Sequence, residues 1–189
     1  DCYLALGRKD KAVEVLNQID EVKEHPVLLR KLADLQISLG NYAEAQDSLT
    51  LLLKIMPDDW NTLRRLGHCL FMQNKKDEAL QTWRSPLKFP FMQRLEFYQD
   101  YTTVLIEHQL YEEALKAFDE ARKILQQPTM FAEEYASVLD ALGRSEEALE
   151  EYLKVLGEGF YRQEVFEKLY SAAEKGFDLE AGLQRMRQQ

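Results

Sequence analysis

Several residues in this chain have the chemistry for catalysis or metal binding, and their spacing argues against each use. His68 and Cys69 are neighbours, the two types that make a thiolate–imidazole pair. On a helix, however, adjacent side chains do not face each other. A groove-facing histidine beside a small buried thiol accounts for them better. His25 and His108 fall in separate connections between helices, and Cys2 and Cys69 form neither a CxxC motif nor a disulfide framework. The acidic pairs Glu112–Glu113, Glu133–Glu134, Glu146–Glu147 and Glu150–Glu151 have the groups for acid–base work. Most of them open a helix, where carboxylates favour the positive end of the macrodipole. Solvated helix surface is the plainer account. No phosphate-binding glycine loop and no nucleophile motif occurs. The chain is expected to be no enzyme and to hold no cofactor and no metal.

The elements that position these residues follow from composition and period. Of 189 residues, 46% are hydrophobic and 30% charged, with only eight glycines and five prolines, too few for an all-β protein built on tight turns. The formal charge of −9 opposes nucleic acid as a partner, because phosphate binding needs a basic surface. No apolar run is long enough to insert into a membrane. Two cysteines suit a reducing cytoplasm, which is favoured over a periplasm without excluding it. The opening at Asp1, inside a helical pattern and without a methionine, reads as a fragment of a longer protein.

A small turn element, an alanine five residues on and a large apolar residue four further recur down the chain. They read Gly7–Ala12–Leu16, Gly40–Ala45–Leu49, Asn74–Ala79–Trp83, Gln109–Ala114–Phe118 and Gly143–Ala148–Tyr152, with a fainter Gly176–Ala181. The alanines are spaced by 33, 34, 35 and 34 residues. Each period holds two amphipathic helices. Leu29, Leu32, Ala33 and Ile37 mark one stripe, and Ala45, Leu49, Leu52, Leu53 and Ile55 the next. Gly40 ends the first helix, and Pro57 stops the second, with Asp58 and Asp59 suited to the start of the following one. Ala33, Gly67, Thr102 and Ala136 allow close helix crossing, while Leu49, Trp83, Phe118 and Tyr152 fill the gap. Pro86 and Pro90 predict a short or kinked helix there and an irregular link through Phe89, Phe91 and Met92.

These residues resemble the tetratricopeptide repeat family, whose outline is matched by Leu63, Leu66, Gly67, Leu70, Ala79 and Trp83. Gln36 departs from it, being polar where a large apolar residue is usual. The resemblance implies an all-α fold, a right-handed α-solenoid of stacked antiparallel helix pairs with about five repeats. It implies one repeat domain over residues 1–189: a partial repeat 1–25, repeats 26–59, 60–94, 95–128 and 129–161, and a degenerate repeat 162–189. Terminal repeats need a polar cap, so an exposed apolar end is expected around Leu4, Leu16 and Ile19.

In proteins similar to this one, first helices line a concave groove that holds partner peptides. The alignment places Arg30, Asp34 and Ile37 there, then Asn61, Arg64, His68, Phe71 and Met72. Gln99, Thr103 and Ile106 follow, and then Glu133, Ser137 and Asp140. A merely solvated face is the alternative, against which Phe71 and Met72 are costly to leave bare. Arg30, Lys31, Arg64, Arg65 and His68 make the early part basic, whereas Glu96, Glu107, Glu133, Glu134 and Asp140 make the later part acidic. A partner segment is expected with its acidic part near Arg64 and a basic part near Glu133. The family's clamp for a terminal carboxylate is not reproduced, since Asp34 stands where asparagine is usual and Arg30 replaces the lysine. The expected function is a non-catalytic scaffold binding a peptide or helix of another protein. The alternatives are an assembly subunit of a larger secretion or envelope complex, self-association included, and a regulatory domain of an enzyme.

Overall fold

The computed structural model describes all residues except 1, 2, 4, 5, 93, 158–162, 175 and 187–189, and no side chain at 20, 91, 157, 183, 185 and 186. Cys2, Leu4 and the Phe91 side chain lie outside the described residues. The fold is all-α, with helices joined in antiparallel pairs and no strand among the described residues. The helices fall into two compact units, Asp1–Met92 and Gln93–Gln189.

The first unit contains α1 (Lys9–Asn17), α2 (Pro26–Ser38), α3 (Tyr42–Ile55), α4 (Trp60–Met72) and α5 (Lys76–Arg84), each packed on the next. Pro26 opens α2, where its missing N–H costs nothing. Asp59 caps α4 by accepting from Thr62 N at 3.2 Å and from the Thr62 hydroxyl. The α5 helix stops at Arg84, and the prolines fall in two 3₁₀ turns, Ser85–Lys88 and Pro90–Met92, as the sequence predicts. The second unit contains α6 (Leu95–Glu107), α7 (Tyr111–Leu125), α8 (Ala132–Ala141), α9 (Ser145–Gly157), α10 (Gln163–Glu174) and α11 (Leu179–Met186). There α9 packs against α8, α10 and α11.

The recurring turn has one backbone conformation. Gly7, Gly40, Asn74, Gln109, Gly143 and Gly176 all have positive φ, between 58° and 98°. The residue after each donates five residues back, as in Asn41 N to Gln36 O at 2.9 Å and Leu110 N to Leu105 O at 2.9 Å. This left-handed cap satisfies orphan carbonyls and reverses the chain into the second helix. Only Gln109 bears a long side chain there, and a non-glycine residue in this region is strained. Gln109→Gly is therefore expected to raise stability by ~0.5–1 kcal/mol, seen as a higher midpoint of thermal unfolding by circular dichroism. An unchanged or lower midpoint would refute the assignment of strain.

The crossings are made by small residues, as their spacing predicts. Ala33, Ala45, Ala79, Ala114, Ala136 and Ala148 are all fully buried, as are Leu49, Trp83 and Phe118. In the second unit the Phe118 ring lies 5.2 Å from Phe131 and 5.8 Å from Tyr135. The last helix departs from the pattern. Its close approach to α9 is at Gly182, where an added Cβ would lie 2.7 Å from Leu153 Cδ1, one residue beyond the aligned Ala181. Two readings of single residues also change. Ile55, assigned to a buried stripe, is 44% exposed because the stripe has turned outward by the last turn of α3. Gln36, the polar departure, is buried and accepts from Ser48 Oγ at 2.8 Å, so a hydrogen bond replaces apolar packing. At the N-terminal end Leu6 is 70% and Ile19 38% exposed, while Leu16 is half-buried against the core.

Candidate functional site

In the first unit, the outward residues of α2 and α4 are tied together before any partner arrives. Arg30 Nη2 donates to Asp59 Oδ2 at 2.9 Å, and Arg65 Nε donates to Asp34 Oδ1 at 2.6 Å. Arg65 also reaches the Asn61 carbonyl at 3.2 Å. These bridges join first helices of neighbouring repeats and offset part of the positive charge that the sequence assigns to this face. The exposed Arg65–Asp34 pair contributes little stability on its own, whereas the Arg30–Asp59 pair is half-buried and couples the two helices more firmly. Arg64 is exposed, and its carbonyl accepts from Trp83 Nε1 at 3.0 Å. His68 meets the Tyr42 ring edge-on at 5.9 Å, and Phe71 lies 6.2 Å from Trp83, so both are half-buried in the repeat packing. Met72 remains exposed.

Beside α2 lies a cavity of about 650 Å³ with apolar walls from Val27, Leu35 and Met56, cations from Lys9, Arg30 and Lys31, and the carboxylate of Asp34. Arg30 Nε is buried with no hydrogen-bond partner. A buried N–H without an acceptor is costly. Val27 and Met56 went unread in the sequence, since they stand at helix ends beside the apolar runs that mark the buried stripes. Their signal was position: Val27 precedes Arg30 by three residues, as Asn61 precedes Arg64.

In the second unit, α6 presents Gln99 and Thr103, with the Thr103 hydroxyl donating to the Gln99 carbonyl at 2.7 Å. Glu133 on α8 lines a cavity of about 350 Å³ with Ile106, Tyr111 and Ser137. Asp140 is engaged inside the fold: it accepts from Lys168 Nζ at 2.7 Å and from Tyr152 OH at 3.2 Å, and Ser137 Oγ lies 3.5 Å from that phenol. Lys168 stands 4.5 Å over the Tyr152 ring and also contacts its hydroxyl. Partial burial pulls the ammonium down, but hydrogen bonds to Asp140 and Tyr152 win and hold it above the ordinary lysine range.

A second cluster went unread in the sequence. Arg122 donates to both Glu151 oxygens, at 3.2 and 2.7 Å, and to the Met130 carbonyl at 2.8 Å. Its guanidinium stacks 4.4 Å over Tyr135, and Lys154 adds a bond to Glu151 at 2.6 Å. Glu151 is only 7% exposed, which corrects its assignment to solvated surface. Burial and the neighbouring Asp119 push the Tyr135 phenol up to about 12. The α10 helix also exposes Phe166 and Tyr170, at 45% and 68%. Counted from Gly176, they stand where Arg64 and His68 stand relative to Asn74.

Cys69 is fully buried, and desolvation raises its thiol to about 11, so it stays protonated near neutral pH. His108 Nδ1 lies 2.8 Å from its own helix's Val104 carbonyl. Among the described residues, no group of three or more His, Cys, Asp or Glu is placed to hold a metal ion, and no helix is long and apolar enough to cross a membrane.

Residues 30–84 match the tetratricopeptide repeat family model. No curated protein sequence matches the chain. Solved structures do. A MamA protein covers 95% of this chain and 92% of its own at 17% identity and a TM-score of 0.55. A MamA fragment from Desulfovibrio magneticus RS-1 covers 82% and 88% at 17% identity and a TM-score of 0.52. A chain of the Naa15/Naa10 structure bound to HypK-THB covers 97% of this chain at 22% identity and a TM-score of 0.62, although the match spans only 29% of that chain. At these identities the likeness establishes the fold.

Proposed function

We propose that the chain, whose residues 30–84 match the tetratricopeptide repeat family model and whose fold is shared by repeat proteins of that kind, is a non-catalytic scaffold whose first helices bind a peptide or helix of another protein. The observation that carries this reading is the cavity beside α2. Apolar walls beside Lys9, Arg30 and Lys31, whose positive charges outnumber the one carboxylate of Asp34, suit an apolar side chain neighboured by a carboxylate. Arg64, Met72 and Asn61 extend the same face along α4, and Asp34 and Arg65 brace it. Gln99, Thr103, Glu133 and Ser137 are the contacts proposed for the second unit. A solved neighbour, Naa15/Naa10 bound to HypK-THB, is itself an assembly of proteins.

The test uses peptides selected from a displayed random library against the whole chain. Arg64→Glu is expected to weaken acidic ligands by roughly five- to tenfold and to reduce the salt dependence of their binding. Unchanged affinity with unchanged salt dependence would sink the assignment of Arg64. A library that yields no binder would sink the scaffold reading. A second reading, docking into a larger assembly or onto another copy, is favoured by the exposed Leu6, Val15 and Ile19 at the N-terminal end. Light scattering with crosslinking separates the two, because assembly through that end predicts concentration-dependent association.

A further inference from the structure

We infer that the cleft between α8, α9 and α10 seats a basic, aliphatic segment of the partner, with an arginine or lysine side chain entering it. This rests on the scaffold reading and names the chemistry of one binding segment. The cleft has a volume of about 780 Å³, and Leu149, Ala172 and Phe177 supply apolar wall. Asp140, Glu146, Glu164 and Glu167 line it against a single described cation, Lys168. Lys168 is held by Asp140 and Tyr152, so those two opposite charges cancel within the fold. Glu146, Glu164 and Glu167 then leave three negative charges around an apolar-walled space.

That combination selects its occupant. An acidic segment would be repelled. A wholly apolar one would strip water from carboxylates and return no hydrogen bond. A guanidinium or ammonium satisfies them, and its methylenes lie along Leu149 and Phe177 as the charged head reaches the rim. Glu167 already accepts from Gln163 Nε2 at 2.7 Å, which holds one carboxylate at the rim. On the crest of α10 next to Glu167, the exposed Tyr170 ring offers a face to a further cation or aliphatic chain of the same segment.

The probe is a short labelled peptide alternating arginine with leucine and alanine, with its glutamate-for-arginine counterpart as control, titrated by fluorescence anisotropy against the whole chain. Binding of the basic peptide, and not of the acidic one, is expected at physiological ionic strength. The triple change Glu146→Gln, Glu164→Gln and Glu167→Gln should weaken it about tenfold. Removing the same charge from the first unit, with Glu44→Gln, Asp47→Asn and Glu78→Gln, should change it less than about twofold. These are isosteric changes at exposed sites, and matching thermal melts verify folding. Equal weakening by both triple changes would overturn the proposal, since it would mean diffuse attraction to an acidic chain. So would failure of the basic peptide while library-selected peptides bind, which would leave the scaffold reading standing.

Discussion

Gly67→Ala is expected to destabilise the chain by ~3 kcal/mol or more, although it adds one methyl group to a helix that should welcome it. A Cβ at this position would lie 2.1 Å from Trp83 Nε1 and 2.4 Å from Cε2. Trp83 is fully buried, and its indole N–H is fixed by the Arg64 carbonyl at 3.0 Å, so the ring cannot swing aside without losing that bond. Helix propensity favours alanine by only ~1 kcal/mol, so the collision wins. The neighbouring repeat supplies the remedy: there the equivalent positions are Ala33 and Leu49, both fully buried. Gly67→Ala combined with Trp83→Leu should therefore lose less than the two single changes summed. Urea titration followed by circular dichroism measures both, and a single mutant as stable as the parent would refute the tight crossing.

The second large effect is at Arg122 and Glu151. Their side chains are 11% and 9% exposed, and the guanidinium meets the carboxylate with two hydrogen bonds. Glu151→Ala leaves Arg122 buried without its anion and should cost ~3–5 kcal/mol. The Met130 carbonyl bond also anchors the turn before α8, where Phe131 has a φ of 59°, an uncommon state for an aromatic residue. Replacing both partners, as Arg122→Met with Glu151→Leu, should cost much less than Glu151→Ala alone, because no buried charge is stranded. Unfolding midpoints decide, and an additive double mutant would show that the pair is not coupled.

The period, the turn residues and the helix crossings were legible because each depends on local spacing. A left-handed cap needs glycine or a tolerant residue at one point, and a crossing needs a small side chain at another. The interruption at Pro86 was legible for the same reason. What escaped depends on partners distant in sequence. Glu151 looks like helix surface beside Glu150 until Arg122, on another helix, is seen to bury it. Gln36 looks like a defect until Ser48 arrives. On the candidate binding faces, spacing identified outward positions correctly at Arg64 and Met72. It could not reveal that Asp34, Asp140 and Phe71 are already engaged by Arg65, Lys168 and Trp83. Phe166 and Tyr170 escaped because the last repeat is too degenerate to align until its turn at Gly176 is used as the origin.

Asp59 carries a consequence for how the array assembles. One carboxylate both starts α4 and holds Arg30 of α2, so ordering one repeat supplies the ligand that orders the next. A chain frayed at α4 would lose the cap and the bridge in a single event, which disfavours states with half the first unit melted. The unit is thereby pushed toward all-or-none behaviour along the run from α2 to α4, and a bound partner gripping either helix would stiffen both.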